Sequence, residues 1–338
     1  MADTKIKNAT ISDVAKLAGV SMKTVSRVFN NEKYVSKDKK DKILKVAAKL
    51  NYRPSVQARG LAGRKSFMVA MFVDKLEGDY LTKVLRGILD RSEPAGCHLV
   101  VEVLKAQGDK EKLKQVLNSV NFDGVVLTSP ICDDTVVLDA LKESNVPTVR
   151  IGPGFDYEGT LKVAIDEFKA ASQITEYIIS QGHRRIGFIK GDPKHACSLE
   201  RERGYLRALQ LAGLPIENNL IASGSFSYES GRKAAEFLLD TENRPTAIFA
   251  SNDDMATAVL AVARERGIAV PEDLSIVGFD DADHAAIVSP SLTTVRQPVV
   301  QMASAAFDLL HEGQEPGVEF TPHSFELCIR DSVANLNK

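Results

Sequence analysis

The segment from Thr10 to Asn31, TISDVAKLAGVSMKTVSRVFNN, leaves its own fold little freedom. Ile11, Val14, Ala15 and Ala18 recur at the spacing of one buried helix face, and Val25, Val28 and Phe29 resume that spacing after a break. Gly19 stands at the break, where a glycine takes positive φ without a Cβ penalty; Val20 can plug the turn, and Ser21 can cap a second helix from Met22. The pattern predicts a helix-turn-helix. Its second helix would turn Met22, Lys23, Ser26 and Arg27 outward, side chains suited to base edges and phosphates. A generic amphipathic hairpin with Lys23 and Arg27 on a solvated face shows the same periodicity, so the rest of the chain has to decide.

Charge is the first discriminator. Residues 1–66 hold 16 basic and 5 acidic residues, a net of +11, whereas the remainder holds 27 basic and 40 acidic, a net of -13. The overall net of -2 conceals a basic head on an acidic body, which suggests that only the head meets a polyanion. After the hairpin, Ser36 can cap a third helix with an inner face of Ile43, Val46, Ala47 and Leu50, and Lys37, Lys39, Lys40 and Lys42 would add nonspecific attraction to phosphate. Pro54 ends that helix or starts the next. The segment SVQARGLAG that follows is too short and glycine-rich to be helical alone, since isolated helices below ~12 residues are marginal and Gly60 costs about 1 kcal/mol against Ala. It should order only on a partner. Leu61, apolar between Arg59 and Arg64, has the character of a wedge that enters a minor groove.

With VS, LNYRP and QARGLAG following the hairpin, the chain resembles the lac repressor family of bacterial transcription regulators, over its whole length. The resemblance implies a homodimer reading two half-sites of pseudo-palindromic, double-stranded operator DNA. Met22, Lys23 and Arg27 match the family's base-reading positions, Thr24, Ser26 and Asn30 its phosphate contacts, and Leu61, beside Arg59, its intercalating hinge leucine. Gly60 stands where the family often has a better helix former.

From residue 67 buried strands alternate with amphipathic helices, which predicts doubly wound parallel sheets. A first series comprises strands 67–73, 98–103, 124–127 and 147–151 with helices 81–89, 113–120 and 136–141. A second begins near Val163: helix 167–180, strand 185–189, helix 200–212, strand 247–250, helix 255–266 and strand 274–279. Two such lobes resemble the periplasmic sugar-binding fold, which implies crossings between lobes near Ile165, Val295 and Phe325 and a ligand cleft at the carboxyl ends of the strands. The expected organisation is therefore α/β: an all-α helix-turn-helix head over 1–54, a hinge or linker over 55–66, and a two-lobed, periplasmic-binding-protein-like body over 67–338. Its N-lobe is about 67–163 with 296–322 and its C-lobe about 164–293 with 325–338.

Strand ends then nominate cleft residues: Asp74 and Tyr80 after the first strand, Ser129 and Pro130 after the third, Arg201 opening a helix, Phe226 in the turn GSFSYESG, Asn252, Asp280, and Gln297 at a crossover. Arg, Asn and Asp take paired hydroxyls in bidentate fashion and Phe226 can cover an apolar sugar face, so a mono- or oligosaccharide effector is expected. Arg201, Phe226, Asn252 and Asp280 also match the family's effector positions; the loop 75–80 lacks the Asn-Pro-Phe often found there. Asp253 and Asp254 read as caps of the helix at Met255, Asp281 as a surface residue, and His183 as a helix-terminal cation.

Other classes find less support. No phosphate-binding G-x-x-x-x-G-K-[ST], dinucleotide G-x-G-x-x-G, G-x-S-x-G elbow or H-E-x-x-H occurs, and Cys97, Cys132, Cys197 and Cys328 are scattered without ligand spacing, so neither enzyme nor cofactor nor metal is expected. A periplasmic receptor would fit the body but not the basic head or the N-terminus MADTKIKNAT, which has no apolar signal core. No apolar run reaches the ~20 residues that span a bilayer, and no leucine heptads follow the last strand near 324–330. The expectation is a cytoplasmic, nucleoid-associated dimeric repressor without a membrane partner. A carbohydrate receptor or enzyme carrying an accessory basic head is the alternative.

Overall fold

A computed structural model describes residues 9–29, 35–52, 65–105, 110–240, 243–314 and 322–337. The chain divides into two compact units, Met1–Phe67 and Met68–Lys338.

In the first unit, α1 (Ile11–Ala18), α2 (Met22–Phe29) and α3 (Lys37–Lys49) share one small core. Thr10 and Asp13 close a capping box on α1, and Gly19 at φ 67° ends it. Ser21 Oγ accepts from Thr24 N at 3.2 Å, the expected cap of α2. Val14, Ala15, Ala18, Val25, Val28, Ile43 and Ala47 are buried together, with Val20, Val46 and Leu50 packed against them. Tyr52, not anticipated, lies edge-on to Phe29 at 5.6 Å and seals the core. Ser36 departs from expectation: it holds the extended cap conformation, but its side chain makes no cap hydrogen bond, so the charge-rich α3 begins with its first amides unserved by that hydroxyl.

The second unit contains two parallel sheets. The first has the order β2-β1-β3-β4-β5, from β1 (Met68–Val73), β2 (His98–Val103), β3 (Gly124–Thr128), β4 (Thr148–Ile151) and β5 (Thr160–Val163). One face carries α4 (Asp79–Ser92) and α11 (Val299–Glu312), the other α5 (Lys110–Ser119) and α6 (Thr135–Glu143). The second sheet, β7-β6-β8-β9, joins β6 (Ile186–Ile189), β7 (Ile221–Ala222), β8 (Ala247–Ala250) and β9 (Ser275–Val277). The pair α7 (Glu167–Ser180) and α8 (Ala196–Leu211) packs together, as does the pair α9 (Tyr228–Leu239) and α10 (Asp253–Glu265). Antiparallel β10 (Thr294–Arg296) and β11 (Glu326–Cys328), with the bridge Ile165–His323, mark where three segments run between the lobes.

Strands β1 and β3 are buried throughout or nearly so, which is why their apolar runs were readable. Strand β5 belongs to the first sheet although the sequence pattern starts the second series near its end, and α9, α11 and the short β7 and β10 carried no distinct signal. His183 is not the helix-terminal cation that the sequence suggested. It is buried, with its ring nitrogens 3.0 Å from Thr246 Oγ1 and 3.3 Å from the Ala334 carbonyl oxygen, and burial pulls its pKa below the usual value. Among the described residues no helix is long and apolar enough to cross a membrane.

Candidate functional site

Two surfaces gather the nominated residues. On α2, Met22 and Lys23 are exposed, while Thr24, Ser26 and Arg27 are half-buried at the rim of the three-helix core. Thr24 is partly committed to the cap, its hydroxyl lying 2.9 Å from Ser21 Oγ. The helix therefore presents one long apolar and two cationic side chains from a rigid base, the requirement for reading base edges at fixed register. Asn30, Arg59 and Leu61 lie outside the described residues.

The second surface lies where β1, β3, β6, β8 and β9 end. Its centre is Arg201, in the second turn of α8; the helix starts at Ala196, so Arg201 does not open it as the sequence suggested. Only 3% of Arg201 is exposed. Burying a guanidinium requires hydrogen bonds and opposite charge around it, and each of its three nitrogens has such a partner here. Nε donates to Glu167 Oε2 at 2.9 Å and Nη2 to Glu167 Oε1 at 3.3 Å, Nη1 donates to the Ser251 carbonyl, and Asp280 Oδ1 lies 3.6 Å from Nη2. Phe279 packs 3.7 Å from the guanidinium carbon to the ring centroid, closing one face. Burial works against the charge on Arg201, but Glu167 and Asp280 outweigh it and hold the pKa above the ordinary arginine value.

Asp280 follows β9 at φ 107°, a conformation few side chains adopt, and two hinge residues hold it: Asp280 N donates to Val295 O at 2.8 Å, and Gln297 Nε2 donates to Asp280 Oδ1 at 2.6 Å. Burial raises the Asp280 carboxyl to about 6, against the opposing pull of Arg201 and the Gln297 hydrogen bond.

Phe226 precedes α9 at φ 61°. The tip of its ring abuts Gly191: a Cβ there would come 2.0 Å from Phe226 Cζ, so only glycine leaves room for it. His195 meets the same ring edge-on at 5.3 Å, and Arg201 lies 5.8 Å from its centroid. Asn252 is mainly a positioning residue. Its Oδ1 caps α10 by accepting from Met255 N at 3.0 Å, and its Nδ2 donates to the Phe226 carbonyl at 2.9 Å.

From the N-lobe, Tyr80 enters in the first turn of α4. Burial chiefly raises its pKa, and the charges of Glu167 and Asp280, carried by the other lobe, push the same way. Asp74 is close enough to His195 to oppose the burial that lowers the imidazole pKa. Ser129 Oγ, at the end of β3, is shielded and has no hydrogen-bond partner among the described residues. Of the nine nominated residues, Asp74, Ser129, Pro130, Asn252 and Asp280 follow strands and Gln297 follows β10, whereas Tyr80 and Arg201 stand in early turns of helices and Phe226 just before one.

Several participants were missed or misread. Glu167, the main partner of Arg201, was seen only as the start of a helix. Asp253 is not a cap: Asn252 is, and the buried Asp253 accepts from Thr294 Oγ1 and Ala282 N, each at 2.7 Å. Asp254, in the first turn, sits 3.5 Å from His284 and does not cap α10 either. Asp281 is no surface residue. Its Oδ2 accepts from Arg296 Nε at 2.7 Å and its Oδ1 from Arg330 Nη2 at 2.5 Å, while its carbonyl accepts from Lys83 Nζ of the N-lobe at 2.8 Å. A charged pair seeks a partner that sequence alone does not place, and here the partners are 15 and 49 residues away.

Comparison with known proteins agrees with this geometry. The profile described as bacterial regulatory proteins, lacI family, matches residues 10–55, and that of the periplasmic binding protein-like domain matches residues 175–333. The HTH-type transcriptional regulator DegA of Bacillus subtilis (strain 168) is 35% identical over 97% of this chain and 99% of its own length. Among solved structures, the transcriptional regulator CelR–cellobiose complex is 32% identical with a TM-score of 0.73, covering 96% of this chain and 99% of that one. The lac repressor dimer bound to operator and the anti-inducer ONPF is 26% identical with a TM-score of 0.84, covering 97% and 100%. A helix-turn-helix of the matched type, joined to a two-lobed body and similar end to end to such regulators, places this chain in the lacI family of bacterial transcription regulators.

Proposed function

We propose that the protein is a homodimeric repressor of a pseudo-palindromic operator, released by a small carbohydrate bound at the strand ends of the body. The observation that carries the ligand reading is the preorganised set Arg201, Glu167, Asp280 and Gln297 beside the face of Phe226. Carboxylate and amide acceptors with an aromatic platform suit hydroxyls on one side of a ring and C–H bonds on the other. Ser129 Oγ would gain a partner in a ligand hydroxyl. Asp74 and Tyr80 supply the N-lobe side, and Asn252 acts through Phe226.

On the DNA side, Met22, Lys23 and Arg27 read bases, Thr24, Ser26 and Asn30 hold phosphates, and Leu61 with Arg59 wedges the minor groove. Ligand binding favours one lobe arrangement by its differential affinity and so changes the spacing of the paired heads. The protein performs no turnover in this reading. Saccharides that stabilise it thermally should be recovered unchanged and should lower its affinity for a fluorescent operator duplex in anisotropy titrations; consumption of the sugar, or operator affinity indifferent to every stabilising sugar, contradicts it.

A further inference from the structure

We infer that Glu167 sets the charge class of the ligand, cancelling the Arg201 guanidinium so that the cleft accepts uncharged polyols and rejects acidic sugars. The inference rests on the proposed carbohydrate site and asks what that site excludes.

An arginine at the centre of a ligand cleft ordinarily suggests an anion clamp, because its fork matches a carboxylate or phosphate. Here the bidentate edge of that fork is already taken by a carboxylate of the protein. One edge of the guanidinium, Nε and Nη2, is held by Glu167 from the first turn of α7 at 2.9 and 3.3 Å, Nη1 donates to the Ser251 carbonyl, and Asp280 Oδ1 lies 3.6 Å from Nη2. Phe279 blocks one face at 3.7 Å. The single positive charge then faces two carboxylates, Glu167 and Asp280, whose side chains are each 17% exposed and so retain some access to the cleft.

Neighbouring cations are committed too. Lys83 is held by Asp79 at 2.6 Å and by the Asp281 carbonyl, Lys190 by Glu202 at 3.4 Å, and Lys75 by Glu77 at 2.5 Å. An anionic ligand would thus lose its hydration shell beside two like charges, a juxtaposition that disfavours binding. An uncharged polyol loses nothing of that kind, because its hydroxyls donate to the same carboxylates. Glu167 is therefore a specificity-determining residue. Removing its charge while keeping its shape leaves Arg201 with Asp280 alone and opens the fork to an acidic ligand.

The test uses matched pairs on the full-length protein: D-glucose with D-glucuronate, D-galactose with D-galacturonate, and cellobiose with cellobionate. Affinity is measured by calorimetry and thermal shift for the wild type and for Glu167→Gln, each with operator-release titrations. The wild type is expected to bind at least one neutral member and to bind its acidic counterpart at least tenfold more weakly. In Glu167→Gln the acid-to-neutral affinity ratio is expected to rise by about tenfold or more. A wild type that prefers an acidic member, or that binds no member of any pair, overturns the inference, and so does an unchanged ratio in a folded Glu167→Gln. The wild-type comparison stands even where the variant fails to fold. Binding that obeys the charge rule but leaves operator affinity unaltered upholds the role of Glu167 and defeats the regulatory reading instead.

Discussion

Replacing Asp281 by Asn tests whether the hinge depends on the residue whose sequence context suggested a bland surface position. Its carboxylate is 12% exposed and receives Arg330 on one oxygen and Arg296 on the other; Arg330 is 18% exposed and Arg296 49%. Hydrogen bonds to charged groups contribute roughly 1.5–3 kcal/mol each, and breaking a buried pair costs about 3–5 kcal/mol because it strands the partner. Arg296 must be discounted: half of it reaches solvent, and Glu326 holds its other arm at 2.7 Å. The amide also keeps one acceptor. The net loss should be about 2–3 kcal/mol, and at about 2–4 °C per kcal/mol for a body of this size the melting temperature should fall by roughly 4–12 °C.

The sign with pH follows from the same contacts. Burial opposes the charge on Asp281, but Arg330 and Arg296 prevail and hold its pKa below the usual carboxylate value. Its stabilisation is present above the unfolded value of about 3.9 and is lost as pH falls through the lower folded value. The difference in melting temperature between wild type and variant should accordingly be full near neutrality and shrink in acid. Asp283→Asn is the control: that side chain is 92% exposed and only 3.9 Å from Lys83, so its melting should shift by less than about 1 °C. Scanning calorimetry decides the matter, and an Asp281→Asn protein that melts within about 1 °C of wild type with unaltered sugar affinity would refute the hinge argument.

Three further outcomes follow from the geometry. Gly191→Ala should evict the Phe226 ring and reduce sugar affinity by about tenfold, roughly 1.4 kcal/mol, with little change in melting because the ring sits at the cleft surface; unchanged affinity would remove Phe226 from the site. Sugar affinity should fall as pH drops below about 6 and Asp280 becomes protonated, and Asp280→Asn should flatten that profile. In the free protein the same raised carboxyl contributes a loss of stability as pH rises from about 4 to about 6, visible as the difference between wild type and Asp280→Asn. Lys23→Ala should relax discrimination at one base pair of each half-site by about 1–3 kcal/mol, measured over a panel of single-substitution operators; a uniform loss would make Lys23 a phosphate contact.

What could be read in advance had a local cause. The helix Glu167–Ser180 and the strand His98–Val103 have the boundaries their periodicity predicts, and β1 and β3 announce themselves as continuous apolar runs because sheet neighbours and helices bury them on both sides. Strands β7 and β10 span two and three residues, too few for any period to register, and exist because their partners hold them. The turn around Phe226 hid α9, since its serines and glycines read as loop while Ser227 in fact caps the helix on Ser230 N. In the cleft, residues at strand ends were accessible to reasoning from topology. The second layer was not: Glu167, Asp281 and Asp253 act through partners 34, 49 and 41 positions away, and charge alone does not say which partner a fold will supply.

The triple passage between the lobes bears on how such a chain can be divided. Residues 294–330 leave the second sheet, contribute α11 to the first, and come back along β11, so neither lobe is a contiguous stretch of polypeptide. A protease that nicks any one passage leaves two covalent ties in place, and the pieces stay woven together. A gene segment encoding one lobe cannot be exchanged by a single crossover either, because the tail that completes the first lobe is written after the second. Recombination within this body must trade both lobes at once or respect two junctions, whereas the head, encoded in one run at the start, can be exchanged at a single point.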